Sequence, residues 1–196
     1  MPAPALDVLD FWFGPPADPD HARSRVQWFR KDEAFDQQVV ARFGALIEQA
    51  LAGGTDDWIA PPLQPLPALA RVIVLDQFTR NAFRGSARAF AGDAMALQTA
   101  RALVAAGLDR GLTGVQRQFV YLPFEHAEDL AHQRTSVQLF EQLGRDEPAL
   151  AGLLEWAQRH HDIVARFGRF PHRNAVLGRA STDEEAAFLL TPGSSF

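Results

Sequence analysis

Pro67-Ala68-Leu69-Ala70-Arg71-Val72-Ile73-Val74-Leu75-Asp76-Gln77-Phe78-Thr79-Arg80-Asn81 is apolar on nearly every side until it reaches Asp76. A helix at the surface shows one apolar stripe, whereas a helix apolar all round is buried among others. Pro67 suits the first helical position, where its missing N–H breaks no hydrogen bond. Four prolines within residues 54–67 make the preceding stretch a loop. The segment therefore predicts a central buried helix running into a polar end, Asp76 to Asn81. Such a helix needs other helices around it, and the flanking sequence supplies them.

Toward the N-terminus, Leu6, Leu9 and Phe13 share a face of a helix over 4–13, which Gly14-Pro15-Pro16 stops. Val26, Trp28 and Phe29 suit a short helix. Asp32 reads as the N-cap of a helix carrying Phe35, Val39, Phe43, Leu46, Ile47 and Ala50, ended by Gly53-Gly54. Toward the C-terminus, an Ala-rich helix covers about 92–106 and ends at Gly107. Thr113-x-x-Gln116 is a capping box for the next helix, which Pro123 kinks or restarts. Residues 124–143 then present Ala127, Leu130, Ala131, Val137, Phe140 and Leu143. Pro148 is expected to open a long helix to Phe167, with Leu150, Leu153, Leu154, Ala157 and Val164 inward and Gly168 as C-cap. Thr182-x-x-Glu185 caps a last helix through Leu190, and 191–196 is a turn-rich tail with one aromatic, Phe196. No stretch alternates apolar and polar residues between hairpin turns, so strands are not expected.

The fold class that follows is all-α: one domain over 1–196, an antiparallel bundle or a short right-handed helical-repeat array of about eight to ten helices. A length of 196 residues buries a sizeable core without disulfides or metals. Cysteine is absent, which excludes a disulfide scaffold, a Cys-ligated zinc site and a Cys nucleophile. The N-terminus has no basic region ahead of an apolar one, and no apolar run approaches the ~18 residues of a membrane span. A cytoplasmic location is the expectation. The net charge of −5 argues against bulk nucleic-acid binding. It is unevenly spread: residues 71–88 hold four Arg against Asp76, and residues 160–179 hold four Arg against Asp162, with three His besides.

Three polar clusters interrupt the apolar pattern. The first is Asp76, Arg80, Asn81, Arg84 and Arg88, in which Asp76 and Arg80 are spaced as an i,i+4 pair. It reads either as part of a site or as a helix-end salt bridge. The second is Glu125, His126, Glu128 and Asp129. Carboxylates this close raise one another's pKa and suit acid–base work or hard-metal ligation, or else they form an acidic first turn answering a helix dipole after Pro123. The third comprises His160, His161, Arg166, Arg169, His172, Arg173, Asn174 and Arg179. His161 falls near the apolar stripe of its helix, where a satisfied core histidine is more common than a ligand. Arg169-Phe170-Pro171-His172-Arg173-Asn174 is rich enough in donors to hold a carboxylate or phosphate, or to clamp helix ends by bonding their loose carbonyls. An internal echo links the first and third: Arg80-Asn81-Ala82-x-x-Gly85 recurs as Arg173-Asn174-Ala175-x-x-Gly178. There is no H-E-x-x-H, phosphate loop, dinucleotide fingerprint or nucleophile elbow, and Ser86, Ser136 and Ser181 lack a nucleophile's context. Nothing identifies a cofactor, and no metal site is expected.

Leu9-Asp10-Phe11-Trp12-Phe13-Gly14, Leu75-Asp76-Gln77-Phe78-Thr79-Arg80-Asn81, Tyr121-Leu122-Pro123-Phe124-Glu125-His126-Ala127-Glu128-Asp129 and Phe167-Gly168-Arg169-Phe170-Pro171-His172-Arg173-Asn174 resemble, in order, the motifs of the bacterial domain-of-unknown-function family 924. Leu177-Gly178-Arg179 and Ser181-Thr182-Asp183-Glu184-Glu185 fit as well. The resemblance implies an all-α fold similar to tetratricopeptide-like helical repeats, and it implies no activity. The chain departs at Thr79 and Ala82, where the resemblance leads one to expect Pro and a larger apolar residue, and at Ala127, where it leads one to expect Ser.

Two functional readings follow. In one, Asp76, Arg80, Asn81, Arg169, His172, Arg173 and Asn174 bind a small anionic molecule, with Glu125, His126 and Glu128 as acid–base candidates. In the other, the helical stack is an interaction module for a protein or peptide, and the same residues are inter-helix clamps. The first requires the three clusters to meet in space.

Overall fold

The computed structural model describes residues 1–195, so the terminal Phe196 lies outside the described residues. Among these the fold is all-helical, with eight α-helices and no strand. They are α1 (Ala3–Phe13), α2 (Glu33–Leu51), α3 (65–82), α4 (Asp93–Ala105), α5 (Gly114–Glu125), α6 (Leu130–Asp146), α7 (Leu153–Phe167) and α8 (Asp183–Leu189). Short 3-10 turns join them, including Val26–Trp28, Asp56–Ile59, Ala87–Phe90, Pro148–Leu150 and Pro171–Arg173. No helix among the described residues is long and apolar enough to cross a membrane.

Helix α3 is the axis. Every residue from Pro67 to Thr79 is buried, and α1, α2, α4 and α5 all pack against it. Its middle, Ile73–Phe78, is wound as a π-helix between the α-helical pieces Pro65–Val72 and Thr79–Ala82. A π segment inserts a residue into the ladder and turns side chains that a regular helix would place elsewhere, which is why such segments concentrate at functional sites. The Thr79 hydroxyl donates to the Leu75 carbonyl at 2.8 Å. Around α3 an aromatic cluster fills the core: Phe11, Trp12, Phe35, Phe43, Phe78 and Phe119 meet ring to ring. The C-terminal part is more sequential, α5 on α6 and α6 on α7. A small separate apolar cluster, Ile163, Val164 and Phe170 with Phe167 and Phe188, closes the C-terminal end.

Local signals placed most helix ends. Asp32 accepts from the Ala34 and Phe35 amides, both capping boxes form, and Gly107 and Gly168 are left-handed. Four boundaries differ. Helix α3 starts at Pro65 rather than Pro67, because Pro65 already meets the N1 requirement. Pro123 does not restart its helix: α5 carries it internally and runs on to Glu125, and the next helix begins at Leu130, capped by Asp129. Pro148 opens only a 3-10 turn, and α7 begins at Leu153. Finally, Glu125 ends a helix instead of starting one. It therefore sits at the carbonyl end of the dipole, where a negative charge is disfavoured, and the acidic-first-turn account of Glu125 does not apply.

Candidate functional site

The three polar clusters converge, but only in part. From the π segment, Asp76 is fully buried; its Oδ1 lies 2.7 Å from His126 Nδ1, and its Oδ2 accepts from Gln77 Nε2 at 2.5 Å. Arg80, one turn on, donates to the Asp76 carbonyl at 2.7 Å and stands 3.5 Å from its carboxylate. Its main partner is Asp93 at the start of α4, bound through Nη1 at 2.9 Å and Nη2 at 3.2 Å. Arg173, from the turn after α7, reaches the same carboxylate with Nη1 at 3.4 Å. Glu125 Oε1 lies 3.2 Å from His160 Nδ1, both side chains buried. The His126 and His160 rings are 6.3 Å apart. Phe90 lies under both guanidinium groups, 5.5 Å from Arg80 and 4.6 Å from Arg173, and Phe170 stacks on Arg173 from 4.5 Å.

The result is a floor of buried groups, Asp76, Glu125, His160 and Arg173, under a partly exposed rim of Arg80, Asp93, His126 and His172. Gly92 makes the arrangement possible. A Cβ there would stand 2.1 Å from the Leu75 carbonyl oxygen, so only glycine lets the start of α4 press onto the π segment and carry Asp93 to Arg80.

The electrostatics follow from this burial. Burial works against the Asp76 charge, but His126, Arg80 and the donated hydrogen bonds hold its carboxyl far below the usual range. Glu125 has no such support, and burial, with the Asp76 charge adding, pushes it up to about 8. Burial pushes His160 down to about 3. Burial and then Arg173 push His172 down to about 4. Burial lowers His126 as well, with Asp76 opposing. Near neutral pH the site thus holds a protonated Glu125 and neutral imidazoles. With its Nδ1–H given to Asp76, His126 keeps the Nε2 lone pair as base or acceptor. Burial and the Arg80 charge bring Arg173 down to about 10, which leaves it a cation.

The other sequence candidates sit outside this floor. Asn81 donates to Asp36 of α2 at 2.7 Å, beside Arg84 on the same carboxylate, and Arg88 pairs with Glu48. Glu128 is taken by Arg179 at 2.5 Å and by the Phe170 amide at 2.8 Å. Arg169 pairs with Glu185 at 2.6 Å and bonds the Ala180 carbonyl. Asn174 donates to Ser181 and Glu185 and accepts from Arg179. These contacts tie the 168–182 segment to α8 and to the loop after α5. Asp129 serves as a helix cap. His161 faces outward toward Asp162 and Gln158, and His160 is the buried histidine of that helix.

Sequence reading missed Asp93, Gln77 and Phe90. Asp93 carried one usable signal, a Gly-Asp step opening a helix, but nothing local announces that two arginines converge on it. Two surface recesses of about 400 Å³ and 430 Å³ lie elsewhere, the first beside Trp58, Pro61 and Pro67, the second beside Phe140, Gly144 and Leu154. No group of three or more acidic or histidine side chains among the described residues has metal-holding geometry.

The chain matches, over residues 8–193, the family described as bacterial protein of unknown function (DUF924), and it belongs to that family. The solved structure of protein of unknown function ATU0120 from Agrobacterium tumefaciens is similar at 41% identity and a TM-score of 0.80, covering 95% of this chain and 96% of that one. No curated protein matches.

Proposed function

We propose that the chain is a single all-α domain over 1–196, working in the cytoplasm, that binds a small anionic ligand at Arg173 with Arg80 beside it. One observation carries the reading. Arg173 is 6% exposed, its guanidinium bonds Asp93 at a long 3.4 Å, and its Nε has no partner among the described residues. A buried guanidinium costs several kcal/mol of lost hydration, and buried donors are otherwise almost always satisfied. A carboxylate or phosphate supplies the missing acceptors and matches the guanidinium fork. His126 Nε2 and the protonated Glu125 then stand near the bound ligand as base and acid. Glu128, Arg169 and Asn174 act at a distance, fixing the segment that carries Arg173.

Thermal melts against a panel of carboxylates and phosphates test this. A ligand should raise the Tm of the wild type and leave Arg173→Met unmoved. A panel that shifts neither protein, or shifts both equally, sinks the reading.

A second reading keeps some support: a tetratricopeptide-like interaction module for a protein or peptide. The sequential packing of α5, α6 and α7 and the ion pairs at helix ends suit it. The gathering of four helices around α3 suits a bundle better. Nucleic acid is the least supported partner, given the net charge of −5.

A further inference from the structure

The charge pattern of the floor and rim carries more than the word anion. Two guanidinium groups, Arg80 and Arg173, face two carboxylates, Asp76 and Asp93. The remaining ionisable members are uncharged near neutral pH, Glu125 protonated and the histidines neutral. The site is therefore already electroneutral. A ligand of net negative charge would leave one charge uncompensated over a desolvated floor, which is costly. A ligand carrying one charge of each sign would not.

The geometry offers a place for each sign. An ionised carboxylate has about four acceptor positions. Asp93 uses three of them, two on Arg80 and one on Arg173. Its side chain is 23% exposed, so the remaining position can meet a ligand. Arg173 has its unpartnered Nε. Arg173 Nη1 and Asp93 Oδ2 lie 3.4 Å apart, so the two charged groups stand side by side. Such spacing matches opposite charges carried on neighbouring atoms of one small molecule. The ring of Phe90 beneath both arginines gives the ligand an apolar wall.

We propose that the ligand is a small zwitterion of the α-amino-acid type, its carboxylate on Arg173 and its ammonium on Asp93. The inference rests on the reading of Arg173 as the ligand anchor and adds the second charge to it.

Calorimetric titration of the full chain tests the two separately. The probes are the proteinogenic amino acids, their des-amino carboxylates, their N-acetyl derivatives and inorganic phosphate. At least one amino acid should bind at least about tenfold more tightly than its des-amino and N-acetyl counterparts. Asp93→Asn should erase that preference, and Arg173→Met should abolish binding of the amino acid. The ligand-side comparison uses unaltered protein, so it stands even if Asp93→Asn folds poorly. If des-amino acids or phosphate bind as tightly as every amino acid, and Arg173→Met removes that binding, the zwitterion is overturned and the anion reading survives. If no probe binds, or binding ignores Arg173→Met, both fall.

Discussion

Glu125 Oε1 and His160 Nδ1 lie 3.2 Å apart between α5 and α7, and both side chains are buried. Neither is charged in the folded protein near neutral pH, and each titrates on the side opposite to its free behaviour. Glu125 rises from 4.5 to about 8, so between those values the folded state holds a proton that the unfolded state has lost. Stability must then fall as pH rises through that window. His160 drops from 6.5 to about 3 and His172 to about 4, so the unfolded state holds the extra protons there and stability falls as pH drops below 6.5. Between pH 6.5 and 8 Glu125 acts without opposition from the histidines. Urea unfolding across that interval should show a loss of about 1–2 kcal/mol in the wild type. Glu125→Gln should flatten the profile; an equal slope in that variant would remove Glu125 from the account.

The two arginines on Asp93 should respond oppositely to the same substitution. Arg80→Met removes the main partner of Asp93 and the cation beside the buried Asp76, and should cost about 3 kcal/mol or more. Arg173→Met replaces a half-partnered buried cation with a well-packed apolar chain while Asp93 keeps Arg80. Ligand-free stability should stay level or rise. Denaturant midpoints of the two variants beside the wild type decide the matter, and a loss at Arg173 as large as that at Arg80 would make it a structural clamp.

Gly92→Ala places a methyl group 2.1 Å from the Leu75 oxygen, a backbone atom that cannot swing away. The start of α4 must retreat, at a cost of about 1–3 kcal/mol. Differential scanning calorimetry should show the drop in Tm, and the Asp93–Arg80 pair should loosen with it.

Glu128→Ala removes the acceptor for both Arg179 and the Phe170 amide. A loss of about 1–2 kcal/mol is expected, together with faster hydrogen exchange at the Phe170 amide. A Glu128 acting in chemistry alone would leave that exchange rate untouched.

Features encoded locally were legible in the sequence. Asp32, Thr113 with Gln116 and Thr182 with Glu185 cap helices within a turn of themselves, and the all-round apolar run before Asp76 identified the buried axis. What escaped depends on winding and distance. The π segment has no composition signature, yet it sets where Asp76 and Gln77 point. Nothing local to Asp93 marks it, because its partners come from elsewhere in the chain. Asn81, Arg169 and Asn174 are as polar as Arg80 and Arg173, and only three-dimensional placement separates those bonded outward from those at the floor.

The echo of Arg80-Asn81-Ala82 in Arg173-Asn174-Ala175 ends in one carboxylate, since both arginines close on Asp93. Closing a loop between distant parts of a chain is slow relative to local helix formation. Most of the helices can form and pack during synthesis, yet the constellation stays open until the segment bearing Arg173 has emerged and docked. Its completion therefore belongs to the last stage of maturation, and a chain stalled before that stage would lack the contact between Arg173 and Asp93.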